Sequence, residues 1–200
     1  MAFASDLIDQ YRQIHASSVY GNTSVKALRF LRPEISLLRP RSIIDYGCGQ
    51  SKFLDELRLG YNVRCVRYDP AIPEYSRKPS FRADLLVNVD VLEHIEESEL
   101  DDVIAELAAL GWNAIIVVDT RPASAFLPDG RNAHVTVRPK LWWRERLLKH
   151  FPALYPVATV RRSRAGFKTW SRDLPDTMRY LGLRAIEDVH HYLRRTGFHK

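Results

Sequence analysis

Ser42-Ile43-Ile44-Asp45-Tyr46-Gly47-Cys48-Gly49-Gln50-Ser51 is the stretch whose reading decides the fold. Ser42–Tyr46 is a short apolar run of the kind found in strands buried on both faces. It stops at a Gly-x-Gly turn, after which residues 51–59 (SKFLDELRL) read as an amphipathic helix closed by Gly60. A strand that ends in glycines and turns straight into a helix brings backbone N–H groups close to a ligand. A dinucleotide site would want a third glycine at position 52. Lys52 stands there instead, which disfavours a nicotinamide-dependent oxidoreductase.

Working outward, Asn62–Tyr68 gives a second strand that ends at Asp69-Pro70, and Leu85–Val89 gives a third. Residues 91–110 read as one helix with Leu100, Val103, Ile104 and Leu107 on a stripe and Gly111 as its stop, followed by a strand over Ala114–Val118. Upstream, Leu7, Ile8, Tyr11 and Ile14 mark a helix over 4–16, residues 24–31 form a second, and Pro33 and Pro40 bracket a further short segment. Beyond a long loop at 120–137, a helix is expected near 139–150, then a hairpin from 157–162 and 166–170. A closing helix over 175–195 takes Met178, Leu181, Ala185, Val189 and Leu193 as its apolar stripe, despite Gly182. Strands alternating with helices at this spacing give an α/β class: a doubly wound, mostly parallel, Rossmann-like sheet with a C-terminal antiparallel hairpin. Only 14 residues separate Asp69 from Asp84, too few for a helix plus another strand, so the third-strand crossover is reduced or missing.

Two carboxylates give the glycine turn a chemical meaning. Asp45 lies at the strand end, where it can receive an ammonium group. Asp69 ends the next strand, 20 residues after Gly49, where its two oxygens can accept both hydroxyls of a ribose. A ligand with an amino-acid end and a nucleoside end fits both, and S-adenosylmethionine is such a ligand.

Asp45-Tyr46-Gly47-Cys48-Gly49 resembles the first motif of class I S-adenosylmethionine-dependent methyltransferases, and Tyr68-Asp69-Pro70 resembles their second. Asp90-Val91-Leu92-Glu93-His94-Ile95 is similar to a segment that follows the fourth strand in that family. The resemblance covers about residues 42–120. It implies that Gly47, Cys48 and Gly49 line the cofactor, that Asp45 holds its methionine portion, and that Asp69, beside Pro70, holds its ribose. Asp90 faces the same cleft on this reading, and Asp84 is the nearest candidate for the adenine. The sequence departs from the family in having Ser51 at the third motif glycine. Asp90 and Glu93 also read as a capping box for the 91–110 helix.

Methyl transfer to a hydroxyl needs alignment and a base. His134, in the loop after the fourth strand, is the leading base, with His94 second and Asp90 beside it. Arg121 and Arg131 can clamp a carboxylate or phosphate. Asn132 and an aromatic wall from Trp142 or Trp143 complete that side, and Tyr11 and His15, four residues apart on one helix face, are expected to cover the cofactor with Tyr20-Gly21. The expected activity is O-methylation of a small polar or glycan acceptor, possibly negatively charged. No metal is expected, because no zinc-type spacing occurs and His190 and His191 point to different helix faces.

Composition frames these readings. The chain has 200 residues, 46% hydrophobic and 27% charged, as in a folded domain, and no apolar run approaches the roughly 20 residues of a membrane span. Cys48 and Cys65 are expected inside the fold as free thiols, and with no signal-peptide pattern the expected location is cytoplasmic. Residues 151–200 hold ten Lys/Arg against four Asp/Glu, so the whole net charge of +6 sits there. That makes an RNA or other nucleic-acid acceptor the alternative, disfavoured by the lack of a separate binding module or an Asn-Pro-Pro-Tyr motif. A non-catalytic cofactor-binding scaffold is the third reading. The expected organisation is one methyltransferase domain: 1–40 a helical cap, 41–120 the cofactor half, 121–172 the acceptor half, 173–200 a terminal helix or a linker into a neighbouring domain.

Overall fold

The computed structural model describes residues 5–17 and 22–196. Its centre is a sheet of six strands: β1 (Ser42–Tyr46), β2 (Arg64–Tyr68), β3 (Ala83–Val89), β4 (Gly111–Asp119), β5 (Tyr155–Pro156) and β6 (Arg164–Lys168). They lie in the order β2-β1-β3-β4-β6-β5. The first four run parallel, β6 runs antiparallel to β4, and β5 antiparallel to β6. This is the doubly wound, mostly parallel sheet with a terminal hairpin that the residue pattern predicts. Among the described residues six α-helices accompany it: α1 (Ser5–Ser17), α2 (Asn22–Leu38), α3 (Phe53–Glu56), α4 (Leu100–Leu110), α5 (Lys140–Leu148) and α6 (Leu174–Thr196).

The strands read as continuous apolar runs because both faces are covered. Ile44, Leu86, Ile116 and Val118 pack toward α4 and α5, meeting Leu100, Ile104, Leu107, Trp143 and Leu147. Their neighbours Ile43, Leu85, Val87, Ile115 and Val117 point to the other face and meet Leu28, Leu31 and Ile35 of α2 with Phe53 of α3. Between β2 and β3 the chain makes only a short 3₁₀ turn, Pro73–Tyr75, so the crossover is indeed missing. β2 is therefore an edge strand. Cys65 on it is exposed, unlike buried Cys48, which corrects the expectation that both thiols lie inside.

Several element boundaries differ from the sequence reading. α2 runs straight through Pro33. Proline removes the N–H that would bond the carbonyl four residues back, and that carbonyl, on Arg29, instead accepts Arg184 Nη1 at 2.5 Å. The helix over 51–59 shrinks to α3, because Leu57 turns out of it (ψ 84°) to bury against the core. The single helix over 91–110 divides into a 3₁₀ turn, Leu92–His94, and α4. No capping box forms: Asp90 takes φ +56°, and Glu93 Oε1 accepts the Asp119 N–H at 2.7 Å.

α6 reverses the expected amphipathic logic. Its polar side docks on α2, with Arg32 Nη1 2.6 Å from Glu187 Oε1 and Arg29 Nε 2.5 Å from Asp188 Oδ1. The stripe expected in the core faces outward, with Met178 63% and Val189 56% exposed. No helix among the described residues is long and apolar enough to cross a membrane.

Candidate active site

A cavity of about 570 Å³ opens at the carboxyl ends of β1 to β4, roofed by α1 and walled by the loop after β4. This is where open α/β sheets bind ligands, and the size suits a small molecule. The glycine turn forms its floor. Gly47 sits at φ +72°, and a Cβ there would lie 2.5 Å from Val91 Cγ2, so both conformation and space demand glycine. Its N–H donates to Tyr68 O at 2.7 Å, which ties β1 to β2 at the site.

Asp69 is fixed by two backbone amides: Oδ2 accepts Gly49 N–H at 2.8 Å and Oδ1 accepts Ala71 N–H at 2.8 Å. Each oxygen keeps a second lone pair for a ligand hydroxyl. Asp45 is 3% exposed, and its Oδ2 has no hydrogen-bond partner. Burial pushes its carboxyl up to about 7, against the pull of Arg67, and Asp69 pushes it further. A buried carboxylate oxygen left open in a cleft suits an arriving cation. These features fit S-adenosylmethionine, with its ammonium group toward Asp45 and its ribose toward Asp69. Cys48 and Pro70 line the same floor.

The opposite wall gathers Tyr11, His94 and His134. The His94 ring stands edge-on to Tyr11 (centroids 5.2 Å, 89°) and to His134 (4.8 Å, 87°). Ala133 O accepts both the Tyr11 hydroxyl at 2.6 Å and His94 Nδ1–H at 2.8 Å. His134 Nδ1–H donates to Arg121 O at 2.6 Å. Burial drives the His94 imidazole down to about 3, helped by His134 and His15 and opposed by its bond to Ala133. Burial also lowers His15, against the pull of Asp69. Asp90 reaches the cavity, but Arg164 holds its carboxylate through Nε–Oδ1 at 2.8 Å and Nη2–Oδ2 at 2.6 Å. Asp90 is thus a paired anion rather than a free base.

Four expected site residues lie elsewhere. Asp84 starts β3, at the end of the sheet away from the cavity, where it accepts the N–H groups of Arg41 (2.8 Å) and Ser42 (3.2 Å). It therefore does not meet an adenine. Arg131 is tied to Asp129 Oδ2 at 2.8 Å and to Glu96 Oε1 at 2.5 Å on the outer surface of the loop. Asn132 staples that loop, its Oδ1 accepting Ala123 and His134 N–H and its Nδ2 donating to Ala123 O. Trp143 is fully buried under the sheet, edge-on to Trp142. Arg121 lines the cavity, as do Tyr11 and His15 of α1, while Tyr20-Gly21 lies outside the described residues. Sequence reading missed Arg164, since only the antiparallel pairing of β6 with β4 brings it to Asp90. An arginine flanking a hairpin strand is too common a feature to have signalled this.

The sheet order and the cavity at its carboxyl ends define the class I methyltransferase fold. Neither a protein-family model nor a curated protein sequence matches the chain. Solved structures do share its fold. An O-methyltransferase family protein from Burkholderia thailandensis superposes with a TM-score of 0.54 at 16% identity, over 72% of this chain and 55% of that one. The chain thus spans little more than half the length of that protein. Burkholderia thailandensis 1,6-didemethyltoxoflavin-N1-methyltransferase, solved with bound 1,6-didemethyltoxoflavin and S-adenosylhomocysteine, gives 0.58 at 15% identity over 86% and 92%. The N-terminal domain of EvdMO1, solved in the presence of S-adenosylhomocysteine and D-fucose, gives 0.52 at 10% identity over 78% and 85%.

Proposed function

We propose that this chain is an S-adenosylmethionine-dependent methyltransferase that methylates a hydroxyl of a small polar acceptor, a sugar or glycan end carrying negative charge. The observation that carries the reading is one cavity holding both an open buried carboxylate beside a glycine cradle and a pair of histidines on the facing wall. Asp45 binds the ammonium group, Asp69 the ribose, and the backbone of Gly47 to Gly49 approaches the ligand closely. When bound, the cofactor supplies an electrophilic methyl carbon with a thioether leaving group.

The chain's own task is to position the acceptor oxygen, accept its proton and exclude water. Of the two histidines, His134 is the one set to act on the acceptor hydroxyl, because burial holds the His94 imidazole far below neutrality. Tyr11 and the roof of α1 keep water out, and Arg121 is placed to hold an anionic group. The D-fucose present with a structural neighbour is in keeping with a sugar acceptor.

The basic C-terminal quarter lends less to a nucleic-acid acceptor than its charge suggests. Arg164, Lys168, Arg172 and Arg184 are spent on ion pairs with Asp90, Glu34 and Asp188. An acceptor screen with methyl-labelled cofactor over glycans, small metabolites and RNA tests the reading. Label on a sugar hydroxyl is the expected outcome, label on RNA alone would replace the acceptor, and no binding of S-adenosylhomocysteine by calorimetry would overturn the activity.

A further inference from the structure

Glu93 is fully buried beside the two histidines. Its Oε1 is satisfied by the Asp119 amide, but Oε2 has no partner. A carboxylate oxygen is costly to leave unmatched inside a protein, and its natural complement is a cation. Arg164 does not serve, since its hydrogen bonds go to Asp90.

The histidines complete the picture. Ala133 O and Arg121 O can only accept, so both Nδ1 atoms carry hydrogen and both Nε2 atoms keep a lone pair. An imidazole that donates its other N–H to a backbone carbonyl is the usual arrangement behind a metal-bound nitrogen, because that bond fixes tautomer and ring direction. Candidate ligand atoms of Glu93, His94 and His134 lie within 4.8 Å of one another, close enough to surround one ion after small side-chain adjustments. The cluster also lines the cavity wall through His94 and His134, so further coordination positions open onto the acceptor side.

We propose that Glu93, His94 and His134 bind a divalent first-row transition ion of the manganese-to-zinc series. One carboxylate and two imidazoles with open positions suit such ions better than magnesium, which prefers oxygen ligands and water. This replaces the sequence expectation of a metal-free site: His94 and His134 come together only through the folded loop, and Glu93 is a neighbour in sequence with no zinc-type spacing. The role of the ion rests on the methyl-transfer reading. An acceptor hydroxyl set against it becomes more acidic, and its proton passes to a hydroxide held at another open position of the ion, which becomes water. The oxygen then bonds the methyl carbon as the carbon–sulfur bond breaks, both electrons of that bond staying on sulfur. In this arrangement His134 is a ligand rather than the base.

The test uses the untagged chain, stripped with a chelator and titrated with Mn²⁺ alone, following bound metal by paramagnetic resonance and elemental analysis. One ion per chain is expected, with at least tenfold weaker binding in His134→Ala and in His94→Ala. Glu93→Gln should weaken binding as well, and the partly exposed His134 keeps the test informative if the buried substitution fails to fold. Loss on His134→Ala also separates the site from surface binding at His190 and His191. No stoichiometric binding, or binding unchanged in His134→Ala, overturns the proposal. S-adenosylhomocysteine calorimetry on the same protein keeps the two readings apart: metal without cofactor binding would sink the methyltransferase reading alone.

Discussion

Arg164 closes on Asp90 with two parallel hydrogen bonds, joining the antiparallel strand β6 to the turn after β3 across the floor of the cavity. The side chains are 9% and 16% accessible, and Asp119 and Glu93 are close by. Removing the cation would leave Asp90 and Asp119 without their counter-charge. Arg164→Ala should therefore lower unfolding stability by about 3 kcal/mol, the scale for breaking a buried pair. Asp90→Asn combined with Arg164→Met should recover much of that. Urea unfolding of the parent and the two variants measures both, and an equal loss in the double variant would show that packing rather than charge is at stake.

With the ammonium group on Asp45, as proposed, cofactor affinity should depend on pH. The Asp45 carboxyl stands raised from 3.8 to about 7 by burial, so between those values the folded chain holds a proton that the unfolded chain has lost. Its contribution to folding is thus most favourable below the unfolded value and is lost as pH rises through about 7. An ammonium group needs the ionised form. S-adenosylhomocysteine should therefore bind about tenfold more weakly for each pH unit below 7, with a plateau above it. Calorimetry across pH should show this slope in the parent and not in Asp45→Asn.

These two sites differ in how far the residues announce them. The floor of the cavity was legible because strand, glycines and carboxylate follow one another within ten residues, and Asp69 closes the next strand. The missing crossover followed from counting residues before Asp84. That same compression hid the place of Asp84, which starts β3 rather than ending an extra strand. The facing wall of the cavity depends on contacts between distant segments, Tyr11 with Ala133 and Asp90 with Arg164, which no local spacing encodes. α6 misled for a physical reason: a stripe of apolar residues predicts burial, yet ion pairs on the polar face set its orientation on α2.

Gly47→Ala should cost cofactor binding through two separable effects. The φ of +72° strains any side chain by about 1–2 kcal/mol, and the new methyl would meet Val91. Adding Val91→Ala should restore part of the S-adenosylhomocysteine affinity by removing the two γ-carbons within 2.6 Å, but not all of it. Full restoration would mean that backbone strain contributes nothing.

Arg121 is a test of acceptor charge. Its carbonyl orients His134, and that bond survives side-chain truncation, so Arg121→Ala isolates the guanidinium. KM for an anionic acceptor should rise about tenfold, the worth of one charged hydrogen bond, with kcat changed much less. An equal effect on a neutral acceptor would remove Arg121 from substrate recognition.

The carbonyl of Ala133 accepts hydrogen bonds from Tyr11 and from His94, while Gln10 and Asp129 clasp each other at the far end of the same contact. α1 and the loop at 120–137 are therefore one packed unit written in two separated pieces of chain, which the proposed function makes the acceptor-reading part. Exchanging acceptor preference between proteins of this fold would require grafting both pieces together. Either piece grafted alone would arrive without its counterpart and leave the histidines misaligned.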